Sequence, residues 1–370
     1  MSTIDNTLYD FPGRENYPVS ETVNLSAFEL KRWTKEVLSL IGLSNKHATI
    51  MAEVLVESDL LGVDTHGTYK IALWVKRALN KGTNPKAEFQ IVHETPTTAV
   101  VDAQAGYGQI MGSLAMDLAM KKSNLYGSGF VVVRNSTSLT AARYYALKAA
   151  KSGKIGMVLT NADPVSAPFG GKTPMLGTNP WCIAVPGEEF PIVMDTATTV
   201  SNWTKLVVYS NAEESIPDGW ALNADGQPTN DPNEAMKGSV LPVGGHKGYM
   251  FGLFTDILTG VLGGGAFLNQ VLSYGHVDQP TSTSHFIGAI NVDGFMPEEE
   301  FKKRISEMVG SLKNSEKAPG VDEIRIPGEQ THKIYQERMS KGIPIEPRRM
   351  QNMLAISKEL NVKAPPIRKA

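Results

Sequence analysis

Apolar positions along the first ninety residues recur at helical spacing. Phe28, Leu30, Trp33, Val37 and Leu40 follow Ser26-Ala-Phe-Glu29, which has the form of a capping box, so a helix is expected there. A second is expected from about Ser44 to Leu61, and a third from about Thr68 to Asn80, ended by Gly82 and Pro85. From Thr97 the texture alternates. Residues 98–101, 129–133 and 155–159 predict strands, with helices over 112–124 and 141–152 between them. Such alternation points to an α/β fold, a mixed or parallel sheet with helices packed on it.

Residues 160–245 are dense in turn signals, where binding groups tend to be carried on loops. Tyr249 to Leu268 has the apolar length of a membrane span, but Asp256 and five glycines interrupt it. A buried helix running into a glycine-rich turn is expected instead. A strand over 285–293 and helices over 298–312 and 330–360 complete the chain. Helical ends around an α/β middle predict a largely helical lobe from both termini, residues 25–124 plus 280–370. A mixed-sheet lobe, residues 125–279, is inserted in it, and an irregular extension precedes both at 1–24.

Composition narrows the function classes. The 370 residues carry 36 basic and 38 acidic side chains, a formal charge of -2, so no global basic field favours nucleic acid and no polybasic block tethers a membrane. Cys182 is the single cysteine, which leaves neither a disulfide nor a thiolate metal site and favours a reducing compartment. Residues 1–17 carry Asp5, Asp10 and Glu15 and no apolar run, so a secretory signal is not expected and the cytoplasm is. The histidines are scattered without H-x-x-x-H or H-E-x-x-H spacing, so no metal is expected. Neither a G-x-S-x-G elbow nor a P-loop occurs.

Three segments could carry chemistry. Gly106-Tyr-Gly108-Gln-Ile-Met-Gly112 opens a helix after a strand, and a later strand ends in Arg134, as a Rossmann site with a phosphate-reading arginine would. Its spacing departs from G-x-G-x-x-G, however, and ordinary turn glycines explain it equally well. Gly62-Val-Asp-Thr-His66-Gly67 places His66 in a helix-to-helix turn beside a hydroxyl and an acid. It could cap a helix, or act as an acid or base within reach of a substrate. The third is a set of polar loops: Thr160-Asn161, Gly170-Gly171, 176–180, 194–199 and Gly244-Gly-His-Lys-Gly248. Backbone amides freed by glycine, with a lysine at a helix start, suit an anion.

In this order, 62–67, 170–171, 176–180, 194–198, Ile216-Pro-Asp-Gly-Trp220, 242–248 and Ile326-Pro-Gly-Glu329 resemble the type 2 malate/L-lactate dehydrogenase family over about residues 25–360. The resemblance implies a nicotinamide-binding fold that is not Rossmann, NAD or NADP as cofactor, a small 2-oxo or 2-hydroxy acid or cyclic imine as substrate, and a homodimer. It assigns His66 as proton donor or acceptor and Asp195 as the carboxylate that pairs with it. Substrate contacts are expected from Thr65, Lys70 and Ser138. Cofactor contacts are expected from Thr160, Asn161, Pro191, Ile192, Val193, Met194, Asp195, Thr196, Ala197, His246, Lys247, Gly328, Glu329 and Gln330.

The departures matter as much. Thr65 stands for the usual Ser, and Lys70 for an Arg, exchanging a bidentate fork for a point charge. Ser138-Leu139-Thr140 replaces the family's His-Phe-Gly, and Asn202-Trp203-Thr204-Lys205 occupies a stretch that often ends in Gly-Lys. These changes lead one to expect an unusual substrate, a cyclic imine among the alternatives, or a homologue that binds a ligand without turnover.

Overall fold

A computed structural model describes residues 9–17 and 19–367. Of the expected irregular extension, residues 1–8 and 18 lie outside the described residues. The rest includes a 3-10 turn, Arg14–Asn16, before β1 (Val23–Leu25). Helices α1 (Ala27–Leu40), α2 (Asn45–Leu60) and α3 (Ile71–Leu79) follow. Helix α1 buries Leu30, Trp33, Val37 and Leu38, one stripe of a 3.6-residue repeat. Ser26 precedes it in extended conformation without a side-chain cap, and Glu29 accepts from Arg32 Nε at 2.9 Å instead. The expected capping box is therefore not formed.

Strands β2 (Gln90–Glu94) and β3 (Thr98–Asp102), helix α4 (Gly108–Tyr126), β4 (Ser128–Ser136), α5 (Ala142–Ala150), β5 (Lys154–Thr160), β6 (Trp181–Val185) and β7 (Ile192–Thr196) then alternate. Helix α6 (Trp203–Asn211), β8 (Ala221–Leu222), β9 (Pro228–Thr229), α7 (Pro232–Lys237) and β10 (Ser239–Val240) form a small outlying unit around Leu206, Ile216, Ala221 and Val240. Helix α8 (His246–Asp256), β11 (Thr283–Asn291), α9 (Glu298–Lys313), α10 (Glu329–Lys341), β12 (Ile343–Ile345) and α11 (Pro347–Glu359) complete the chain. The helix expected over 330–360 is thus two helices. Gly342, at φ 96°, and two nearby prolines admit a short strand between them, which pairs antiparallel with β1.

The main sheet has seven strands in the order β2-β3-β4-β11-β5-β6-β7. Only β3 and β4 pair in parallel, joined by α4, and the remaining neighbours are antiparallel. It is a mixed sheet. It draws β2, β3 and β11 from outside 125–279, and β11 inserts between β4 and β5. One core packs α1–α3, α11, β1 and β12 around Trp33, Trp74, Ile343 and Met353, while a second fills the sheet-to-helix layer.

Packing decides between the two readings of Gly106–Gly112 and changes the expectation for 249–268. A methyl at Gly108 would overlap the carbonyl oxygen of Thr137, and the Gly108 amide donates to Thr137 Oγ1 at 2.9 Å. The glycines at the start of α4 serve close packing, and Arg134 is paired with Asp102 at 3.2 Å, so no Rossmann phosphate cradle lies there. Helix α8, continued by a π turn over Ile257–Val261, is not buried as expected. Gly248 and Gly252 face inward, where a methyl on Gly248 would overlap the Val243 carbonyl. Met250, Phe251, Phe254, Ile257 and Val261 therefore turn outward.

Among the described residues, no helix is long and apolar enough to cross a membrane, and no three His, Cys, Asp or Glu side chains gather to hold a metal.

Candidate active site

The cavity of interest, about 660 Å³, opens at the end of the sheet where β4, β5 and β7 finish and β11 begins. The turn after α2 brings His66 to it. Asp59, wholly buried near the end of α2, accepts from the Thr68 amide at 3.1 Å and the Thr68 hydroxyl at 2.8 Å, and pairs with Arg349 of α11. A methyl at Gly67 would overlap Asp59 Oδ1, so the glycine after His66 is required by this carboxylate. Asp64 is held by Arg338 of α10 through contacts of 2.6 and 3.1 Å. Most of the Gly62–Gly67 motif is accordingly a mount that fixes His66 between α2, α10 and α11.

His66 Nδ1 lies 2.9 Å from Thr65 Oγ1. Burial, reinforced by the cations Lys70 and Arg143, lowers its pKa to about 3. The carboxylate expected to pair with it is taken elsewhere. Asp195 Oδ2 receives Arg143 Nε at 2.6 Å, while Arg143 Nη1 reaches Thr331 Oγ1 at 2.9 Å. A permanently charged guanidinium within contact outcompetes a neutral imidazole for a carboxylate. Asp195 consequently does not draw His66 toward the imidazolium, as the expected pair would have done. Arg143, in the first turn of α5, reaches the site only through the cavity-wall carboxylate of Asp195, a contact that reading the sequence passed over; its one signal was closing the atypical 135–143 loop.

Lys70 is buried, with Nζ 4.6 Å from the Tyr274 ring centroid. Burial lowers its pKa to about 8, opposed by the Asp163 carboxylate, which itself is pushed up by burial. The same cavity wall includes Ser138, Thr160, Asn161, Thr196 and Ala197. Several of these are already committed. Ser138 Oγ accepts from the Thr140 amide at 3.1 Å, and Thr140 sits at φ 65°, where the family pattern has glycine. Thr160 Oγ1 meets His285 Nδ1 at 2.8 Å. Asn161 Oδ1 accepts from the Ser284 amide at 2.7 Å and its Nδ2 donates to the Ala266 carbonyl at 3.0 Å. Asn161 thus pins the end of β5 to β11, and its amide is spent on that task.

Other expected residues stand outside this cavity. Pro191, Ile192, Val193 and Met194 run along β7 toward it, and the Val193 amide donates to the Pro327 carbonyl at 3.1 Å, which brings Gly328 alongside. Glu329 is ion-paired with Lys313 at 2.7 Å and Lys333 at 3.2 Å, and chiefly the Lys313 hydrogen bond brings its pKa down to about 2. Gln330 is exposed at the start of α10. His246 and Lys247 are exposed at the start of α8, His246 packing edge-on to Phe169.

A nicotinamide nucleotide fits two features of this region. The buried indole N–H of Trp203, on the cavity wall, has no hydrogen-bond partner and so offers a donor to a ligand. Gly244 turns at φ 61° with only the Lys247 Cβ near its own missing methyl. Open backbone therefore lies beside a lysine at the start of α8, as an anion requires.

Residues 25–354 match the family described as malate/L-lactate dehydrogenase, and the chain belongs to that family of oxidoreductases. A malate dehydrogenase of Pyrococcus abyssi is 38% identical over 357 residues, 94% of this chain and 97% of the relative. An L-sulfolactate dehydrogenase of Methanocaldococcus jannaschii is 36% identical over 332 residues, 90% of this chain and 96% of the relative. A solved malate dehydrogenase from Entamoeba histolytica superimposes with a TM-score of 0.89 at 34% identity, covering 94% of this chain and 100% of that one. The protein is an enzyme of this family, whose dehydrogenases use nicotinamide cofactors.

Proposed function

We propose that the protein interconverts a small 2-hydroxy acid and its 2-oxo acid with NAD or NADP, using His66 to take up and return the hydroxyl proton. The observation that carries this reading is the meeting of His66 and Lys70 in one cavity, each with its ordinary charge balance shifted by burial. When bound, the nicotinamide supplies the hydride acceptor or donor at its C4. With Nδ1–H directed at Thr65 Oγ1, Nε2 of a neutral imidazole is left to accept a proton from the substrate hydroxyl. Lys70, buried on the cavity wall beside the Tyr274 ring, is assigned to the substrate carboxylate, since Thr65 serves His66 and Ser138 serves its own loop. Asp195, fixed by Arg143, and the 191–197 strand form the wall toward the cofactor, with His246, Lys247 and Gly328–Gln330 beyond the cavity as outer contacts.

We further propose a homodimer in a reducing, cytoplasmic setting. The exposed apolar stripe of α8 supports the dimer, with Phe254 56% accessible, because contiguous apolar faces on enzymes mark interfaces and a second copy presents the same chemistry. Fluorescence titration with NADH and NADPH is the first test, with binding of at least one expected; binding of neither would sink the oxidoreductase reading. A rate panel of 2-oxo acids, 2-hydroxy acids and cyclic imino acids then selects the substrate. Turnover of imino acids alone would replace the hydroxy-acid assignment.

A further inference from the structure

Helix α3 meets the segment between α8 and β11 twice, through side chains seven positions apart. Lys70 stands at the N-cap of α3, and its Nζ lies 4.6 Å from the centroid of the Tyr274 ring. Arg77, about two turns further along the helix, is wholly buried and holds the backbone of that segment. Its Nη1 donates to the carbonyls of Tyr274 at 2.9 Å and His276 at 2.7 Å. Its Nη2 donates to those of Gln279 at 2.8 Å and Gly82 at 2.6 Å, and its Nε to Thr83 Oγ1 at 3.1 Å. All five N–H donors of the guanidinium are thereby taken, four by main-chain carbonyls and none by a carboxylate.

The segment is closed at its neck, where the Leu272 amide donates to the Thr281 carbonyl at 3.0 Å. A methyl at Gly82 would overlap the Val277 carbonyl, so the turn after α3 lies directly against it. Leu272, Tyr274 and Thr281 stand on the cavity wall. A buried cation is costly unless its donors are satisfied, and those of Arg77 are satisfied only while 274–279 keeps this course. The Tyr274 hydroxyl is 3.4 Å from that of Tyr9. The ring beside Lys70 is therefore held at its backbone by Arg77 and at its tip by Tyr9.

We propose that Arg77 is a positioning residue for substrate binding, which through the backbone and ring of Tyr274 sets where the Lys70 ammonium stands to meet the carboxylate. This rests on the assignment of Lys70 to that carboxylate. A lysine carries its charge on a flexible four-carbon stem, and an aromatic face attracts the ammonium and selects one place for it. A cation placed beforehand spares the cost of ordering it when the acid arrives. An arginine that merely stapled the segment would lower thermal stability when altered and leave the affinity for an acid as it was.

The test titrates oxamate, an unreactive analogue of a 2-oxo acid, into the NADH complex by calorimetry and needs no turnover. Arg77→Lys, which keeps the charge and loses the fork, and Tyr274→Leu should each weaken oxamate about tenfold while NADH binds as in wild type. Tyr274→Phe, which keeps the ring, should lose less than Tyr274→Leu. Because both residues act through one ring, the double variant should be no weaker than Tyr274→Leu alone. Additive losses, or wild-type affinity in a folded Arg77→Lys, overturn the proposal. Should Arg77→Lys fail to fold, Tyr274→Leu decides: a tenfold loss supports the proposal and wild-type affinity overturns it. Lys70→Met separates the underlying assignment, since it should weaken oxamate more than either. Wild-type affinity in Lys70→Met, or no oxamate binding by wild type, shows that the assignment itself is wrong and takes the proposal with it.

Discussion

His66 and Lys70 show how one cavity alters two side chains in opposite functional senses. Burial keeps His66 neutral at ordinary pH, with its pKa lowered to about 3, so one ring nitrogen carries a lone pair that can accept a hydrogen bond. His66→Ala should reduce kcat by roughly 100- to 10,000-fold, the usual worth of a general base, with NADH binding preserved; near-wild-type turnover would remove His66 from the chemistry. Lys70 remains an ammonium below about pH 8 and loses its charge above it. Affinity for an acid substrate should therefore be level from about pH 6 to 8. It should weaken about tenfold per unit beyond, as expected when only the protonated form binds. A KM measured against pH that stays flat to pH 10 would show that the carboxylate is held elsewhere. Lys70→Met should raise KM across the whole range and abolish that upward break.

At the scale of elements, the turn carrying His66 depends on helices far from it in sequence. Asp59 on α2 has no exposure and holds both Thr68 and Arg349. Asp59→Asn would remove the buried counter-ion of Arg349 and leave it only the Asp64 carboxylate at 3.8 Å, and breaking a buried pair typically costs about 3–5 kcal/mol. The expected result is a lower thermal midpoint and slower turnover together. An unchanged midpoint would mean that Arg349 finds another partner. On α8 the exposed stripe makes a separable prediction: Phe254→Lys should convert a dimer to a monomer in sedimentation velocity. A wild-type monomer would instead discard the dimer reading. The sequence pattern identified α8 as apolar but misjudged which face was covered. Hydropathy records how apolar a stretch is, whereas Gly248 and Gly252 decide which side can approach the body of the protein.

For the whole molecule, buried histidines set the acid side of the stability profile. His285 on β11 has no exposure, meets Thr160 Oγ1 through Nδ1, and has its pKa lowered by burial to about 3 from 6.5. Between those values the unfolded chain binds a proton that the folded chain excludes, so this contribution is complete above pH 6.5 and is lost as pH falls. It amounts to about 2 kcal/mol by pH 5. Denaturant titrations at pH 7 and pH 5 should show that loss in wild type and a smaller one in His285→Gln. Equal losses would remove His285 as the cause.

Helix and strand positions were largely legible along the chain, because apolar period and glycine or proline punctuation are local properties. The His66 turn, the loops at 160–161 and 194–198 and the resemblance they carry were legible for the same reason. Only tertiary structure decided what those residues meet. Asp195 was expected to pair with His66, but Arg143, 52 positions away, holds it. Asn161 and Thr160 read as cofactor contacts and stand on the cavity wall, where β11, arriving from 283–291, engages both. Tyr9 carried no motif at all and became part of a cavity because Asn352, 343 positions later, fixes its backbone. The reason is physical: sequence spacing specifies periodicity and local turns. The partner of a charge and the occupant of a cavity wall are chosen by whichever distant segment packs there.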